Sequence, residues 1–212
     1  MDDAFAGTHR EGMGLALRQC MKTSFLLLAV PLLLLAHDAL ADDAPPPAPD
    51  PAVRIGVTAN AGPALFHRSS TSPTEESGFF LGGEVRVHPL PMHGFVLGFT
   101  QAGGIFGPTV SIVDAAYSLQ LVGPRRLQGV TGALYLDVGP SAGFARVHSE
   151  DPTHAILGGR MTLGGDLQIT NFLLGAFVTY RGGLPIGAPD GWEGVLTGGL
   201  RLGLAFDVGQ RP

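Results

Sequence analysis

The sequence predicts an all-β chain, an eight-stranded antiparallel up-and-down transmembrane β-barrel, on three observations. Apolar and polar residues alternate with a period of two in eight segments of roughly ten residues, as strands with unlike faces require. The alternation is cleanest in residues 157–181, LGGRMTLGGDLQITNFLLGAFVTYR, where Leu157, Met161, Leu163, Leu167 and Ile169 share one parity and Arg160, Thr162, Asp166 and Gln168 the other. After Thr170-Asn171 it resumes with Phe172, Leu174, Ala176, Val178 and Tyr180. Each arm of this hairpin can cross a bilayer at a tilt, for which about 9–11 residues suffice. Finally, 15% charged residues among 212, with a mean hydropathy of +0.26, is little charge for a surface that faces water.

The start of the chain precedes any fold. Lys22 stands before the apolar run 25–36, and Ala39-Leu40-Ala41 follows with small-x-small spacing, so residues 21–41 read as a cleaved signal peptide and 1–20 as an upstream extension. The apolar run is shorter than the roughly 20 residues of a spanning helix and contains Pro31. Cys20 is the single cysteine and precedes the cleavage site, which excludes disulfides and thiolate catalysis in the mature chain. Residues 42–52, with Pro45, Pro46, Pro47, Pro49 and Pro51, read as a Pro-rich periplasmic leader.

The barrel is expected over 53–207, with 208–212 as a tail. Strand one, 53–61, sets Val53, Ile55, Val57, Ala59 and Ala61 against Arg54, Thr58 and Asn60. A polar loop is expected over 63–78. Strand two, 79–88, sets Phe79, Leu81, Val85 and Val87 against Glu84, Arg86 and His88. The prolines of His88-Pro89-Leu90-Pro91-Met92-His93 make that stretch a connection. Strand three is 94–101, followed by a Gly-rich loop at 103–108. Strand four is 113–121, with Asp114, Ser118 and Gln120 on its polar side, and Gly123-Pro124-Arg125-Arg126 is expected to turn the chain. Strand five runs over 134–144, with Tyr135, Asp137 and Ser141 on one side. The loop 146–154 leads into the hairpin, which gives strands six and seven, and the loop 182–193 precedes strand eight, 196–207, with Thr197, Arg201 and Asp207 on its polar side. Glycine pairs at 82–83, 158–159, 164–165 and 198–199 suggest tight curvature or room for long side chains from neighbouring strands.

Strand charges decide which face is inside. Arg54, Arg86, Arg160, Arg181 and Arg201 match Glu84, Asp114, Asp137, Asp166 and Asp207 in number, all on the polar parity. Turned to lipid, each arginine near the midplane would cost about 2–4 kcal/mol. The ten are therefore expected to form a lumen charge network that fills an eight-stranded interior and leaves no open pore. If the leader is periplasmic, the connections after strands one, three, five and seven face outwards, and the Thr170-Asn171 turn faces the periplasm.

With Gly-Gly-Glu-Val-Arg-Val (82–87), Gly-Pro-Ser-Ala-Gly-Phe (139–144), this strand pattern and the signal peptide, residues 53–207 resemble the small eight-stranded outer-membrane β-barrels of Gram-negative bacteria. The resemblance implies outer-membrane localisation, contact with outer-membrane lipid and lipopolysaccharide, insertion by the barrel-assembly machinery, and a structural, surface-interaction or adhesive role. That family usually ends on an aromatic read by the insertion machinery; here Phe206 closes the last strand and residues 207–212 continue past it.

Catalysis is not expected. His148, Ser149, Glu150, Asp151 and His154 cluster on one loop, but a hydrolase needs nucleophile and base held on rigid strand ends. The alternative reading is an outer-membrane lipid or acyl hydrolase, marked by a Ser, a His and an acid converging at one rim. A third is a soluble periplasmic lipocalin-like binder, with a hollow apolar cavity and its charges outside. His88 and His93 lack a third metal ligand, the glycine pairs open no helix, and Phe106 and Trp192 read as membrane-boundary aromatics. No cofactor is implied. One lysine and a net charge of −5 give no footprint for nucleic acid.

Overall fold

The computed structural model describes residues 51–68, 74–104, 109–127, 130–146, 153–186 and 192–210. Eight strands follow one another: β1 (Pro51–Arg68), β2 (Thr74–His88), β3 (His93–Gly104), β4 (Thr109–Leu127), β5 (Val130–Arg146), β6 (His154–Ile169), β7 (Phe172–Pro185) and β8 (Trp192–Gln210). Each pairs antiparallel with the next, and β1 pairs with β8 to close the barrel. Closure leaves no sheet edge, so every strand finds ladder partners on both sides.

The stagger follows from the register. Paired residues lead from Ile55 through Val87, Phe95, Tyr117, Val138, Met161, Tyr180 and Leu196 back to Leu65, ten residues further along β1. Such a stagger goes with strands tilted about 35–45° to the barrel axis. One end of the barrel, here the turn end, carries both ends of the described chain and the short connections 89–92, 128–129 and 170–171. The other, the loop end, carries the connections 69–73, 105–108, 147–153 and 186–191.

The strands run further than the alternation of charge indicates. Residues 63–68 and 74–78, read as loop, continue the β1–β2 ladder to Arg68↔Thr74, and β4 begins at Thr109. Gly123-Pro124-Arg125-Arg126 is not a turn. It stays in β4 across register shifts between Gln120 and Arg125, and the chain reverses at 128–129. Bulges tolerate a proline that a regular ladder would not. Pro51 pairs with Gln210 and Val53 with Val208, so the ladder takes in positions assigned to leader and tail. The signal peptide, the upstream extension and residues 42–50 lie outside the described residues.

The two faces differ sharply. Leu81, Phe95 and Leu157 are 68%, 62% and 60% exposed, and outward Leu, Val, Phe and Tyr recur on all eight strands. Inward residues are buried, and at the loop end they are apolar: Ala64, Phe66, Phe80, Ala102, Val110, Ile112, Ala145, Phe177 and Val195 form one cluster, with Phe80 and Phe177 in edge contact at 5.8 Å. An interior that is polar throughout was expected. The plug escapes the sequence pattern because much of it lies in stretches read as loops or as plain alternation.

Candidate functional site: an ion-pair network inside the barrel

Below the plug, eight charged side chains meet in one connected network. Glu84 on β2 is its hub: Arg160 Nη2 donates to Oε1 at 2.7 Å, and Arg201 Nη2 and Arg86 Nη2 donate to Oε2 at 2.7 and 3.2 Å. Arg86 also grips Asp137 through both terminal nitrogens, at 2.6 and 3.3 Å, a bidentate geometry that favours strong pairing. Arg160 reaches Asp137 at 3.3 Å and Asp114 at 3.2 Å. Arg181 Nη2 donates to Asp114 at 2.8 Å, and Arg201 Nη1 pairs with Asp166 at 3.3 Å. Four arginines thus face four carboxylates, and Arg54 and Asp207 form a separate pair at 2.8 Å near the turn end. All ten charged residues read from the sequence lie on the inward parity.

Neutral groups complete the network. Arg181 donates to Thr197 and Thr100, Arg160 to Thr162, and Arg201 to Asn60, so every strand sends in at least one side chain. Tyr135 lies under the Arg86 guanidinium at 3.9 Å, and its hydroxyl accepts a hydrogen bond from Arg201. Phe177 stacks at 5.0 Å from Arg201, joining plug to network. Sequence reasoning placed Tyr135 on the polar side without assigning it a role and passed over Phe177, although both share the parity of the charges. Glycines supply the space. A Cβ at Gly98 would sit 3.1 Å from Arg160 and 3.3 Å from Glu84, and one at Gly164 would run into the Tyr135 ring.

Glu84, Asp114, Asp137, Arg86, Arg160, Arg181 and Arg201 are each at most 5% exposed. Charges this buried persist only when paired and hydrogen-bonded, since desolvation costs several kcal/mol per ion. Chemically the network is a neutral, cross-linked filling.

The other candidates do not assemble. His88 points inward and is buried, whereas His93 points outward and shares a hydrogen bond with Tyr117, so the two do not converge. Residues 148–151 and Phe106 lie outside the described residues; His154 opens β6 and Trp192 opens β8. Among the described residues no three His, Cys, Asp or Glu gather to hold a metal. Ser118, His88 and Asp137 share the inner wall, but Ser118 Oγ and His88 Nε2 each have no hydrogen-bond partner, hence not one another, and Asp137 is held by two arginines. A nucleophile–base pair is not formed there.

No family model matches the chain, and no curated protein matches it in sequence. Solved structures match it in fold. Neisserial surface protein A (NspA) is 17% identical, with a TM-score of 0.50 over 72% of this chain and 96% of its own. The N-terminal β-barrel domain of Pseudomonas aeruginosa OprF is 12% identical, with a TM-score of 0.50 over 75% of this chain and 100% of its own. At these identities the likeness is one of fold, an eight-stranded antiparallel barrel of the kind that small Gram-negative outer-membrane proteins adopt.

Proposed function

We propose that the chain is an outer-membrane β-barrel protein with a side-chain-filled interior, serving a structural or surface-interaction role without catalysis. The observation that carries this reading is the inversion of the two faces: apolar side chains stand exposed on all eight strands while four arginines and four carboxylates are sealed inside. A contiguous apolar surface of that extent needs a non-aqueous partner, and lipid is the one that surrounds a barrel on every side. On the outward parity, His67, His93 and Arg146 stand at strand ends. Phe95, Tyr117, Phe172 and Phe206 ring the turn end, where aromatic girdles meet the interface.

Outer-membrane lipid and lipopolysaccharide are the partners this surface fits, with the barrel-assembly machinery acting during insertion. A lipocalin-like binder would carry the opposite polarity, and a lipid hydrolase would place its nucleophile within reach of the membrane rather than on the inner wall. Heat-modifiable migration of the membrane fraction on a gel tests the reading. A shift between unheated and boiled samples is expected; a soluble periplasmic pool without a shift overturns it.

A further inference from the structure

Apart from register shifts towards the strand ends, the described ladders are interrupted in two places. Between β1 and β8 the partners pass from Ala61↔Leu200 directly to Ala64↔Thr197, and between β4 and β5 from Asp114↔Ser141 to Tyr117↔Val138. Each skipped stretch contains a proline, Pro63 in the first and Pro140 in the second. Both prolines keep a partner on their other side, Pro63 with Phe79 of β2 and Pro140 with Gly159 of β6. A proline has no N–H to donate, and the backbone groups of successive strand residues point alternately to one neighbour and the other. The missing donors therefore fall on the β8 side of β1 and on the β4 side of β5. The wall is also thin there, since Gly62, Gly198 and Gly199 at one place, and Ala115, Ala116 and Gly139 at the other, carry at most a methyl group.

These two seams lie four strands apart in a ring of eight, on opposite walls, and divide the barrel into β1–β4 and β5–β8. From each interruption to the loop end only a short ladder remains, 64–68 with 192–197 and 109–114 with 141–146, and the first of these shifts register between His67 and Arg68. What joins the halves at that level is the apolar plug, with Phe66, Phe80 and Ile112 on one side and Phe177 and Val195 on the other. Below the plug the join is electrostatic. Glu84 pairs with Arg160 and Arg201, Arg86 with Asp137, and Asp114 with Arg160 and Arg181, each time from one half to the other. The network draws two anions and one cation from β1–β4 and three cations and two anions from β5–β8, so the halves carry unbalanced charges of opposite sign. Parting the halves at this level would leave buried charges without partners, which is strongly unfavourable. Parting them at the level of the plug would not.

We propose that the barrel is a hinge-and-clamp device: its two four-strand halves part from the loop end as far as Pro63 and Pro140, while the ion-pair network holds them together below. The plug is the contact that moves, and the charges set how far the opening reaches. The device belongs to the barrel itself and operates in detergent as in lipid, so it stands apart from the proposed localisation.

Residue-level amide exchange, followed by NMR on the barrel folded in detergent micelles, tests it. By the alternation that the two prolines set, Leu65 points its N–H at β8 and Ala64 at β2, whereas Ala142 and Phe144 point theirs at β4 and Gly143 at β6. Leu65, Ala142 and Phe144 are expected to exchange about ten-fold faster than Ala64 and Gly143. Replacing both prolines, Pro63→Ala with Pro140→Ala, restores the donors and should slow the three seam amides several-fold. Asp114→Asn weakens the clamp and should let the opening pass the prolines, speeding exchange at Leu200 and Val138 but not at Gly98 or Met161, whose ladders lie within a half. Thr100→Val, which removes one hydrogen bond from Arg181 to the other half, is a milder form of the same test should Asp114→Asn fail to fold. Seam amides as slow as Ala64 and Gly143 overturn the hinges. Equal acceleration of Gly98, Met161, Leu200 and Val138, or no acceleration of any, overturns the clamp.

Discussion

Glu84 and Arg201 lie 117 residues apart in sequence and meet at 2.7 Å in the centre of the barrel, on strands separated by β1. The same carboxylate also holds Arg86 and Arg160. Glu84→Ala would leave three guanidinium groups short of a counter-charge in a buried setting. The expected loss is about 3–5 kcal/mol, read as a lower midpoint in urea unfolding. Asp207→Ala, which removes the partly exposed partner of Arg54, should cost about 0–1 kcal/mol. Equal costs for the two would contradict a network centred on Glu84.

Tyr135 and Gly164 are expected to be energetically coupled. The ring occupies the space above Gly164, and the cations of Arg86 and Arg201 hold it there. Gly164→Ala should therefore destabilise the barrel strongly with Tyr135 in place and much less in a Tyr135→Ala background. A double-mutant cycle should give a coupling of roughly 1–3 kcal/mol.

Thr170 carries a φ of 54° in the two-residue turn between β6 and β7. A β-branched residue in the left-handed region is strained by about 1–2 kcal/mol. Thr170→Gly relieves this and loses one exposed hydrogen bond, from Thr170 Oγ1 to the Ile169 carbonyl. The net expectation is a gain of up to about 1 kcal/mol, seen as a higher unfolding midpoint.

Leu163 and Thr162 are neighbours on opposite faces, 50% and 0% exposed. Leu163→Arg should block membrane assembly at a cost of about 2–4 kcal/mol, whereas Thr162→Ser keeps the hydroxyl that bonds Arg160 and Thr179 and should be nearly silent. Cell fractionation after expression reads both.

The strand order, the β6–β7 hairpin and the inward parity were legible because a period of two is imposed residue by residue wherever the two faces meet different surroundings. Arg160, Asp166 and Arg181 carry that parity on their own. The pairings among them were not legible, since nothing local tells Glu84 that Arg160 and Arg201 lie opposite. The stretches around Pro63 and Gly123-Pro124 misled for a different reason. Proline and glycine usually end strands, but here a bulge and a close backbone approach keep both stretches in the ladder. Phe66 was hidden because it lies in a stretch read as loop, and Phe177 because, although on the parity of the charges, it is as apolar as its outward neighbours Ala176 and Val178 and breaks the contrast that marks the two faces.

The orientation of the outward face is tested most directly by spin labels at Leu97, Leu163 and Leu202, placed singly in a Cys20-free chain reconstituted into liposomes. Relaxation by oxygen, which concentrates in lipid, is expected to exceed relaxation by a water-soluble nickel chelate at all three sites. Dominance of the chelate at these positions would mean that the Leu and Phe belt faces water, and would contradict a barrel that lies in the membrane.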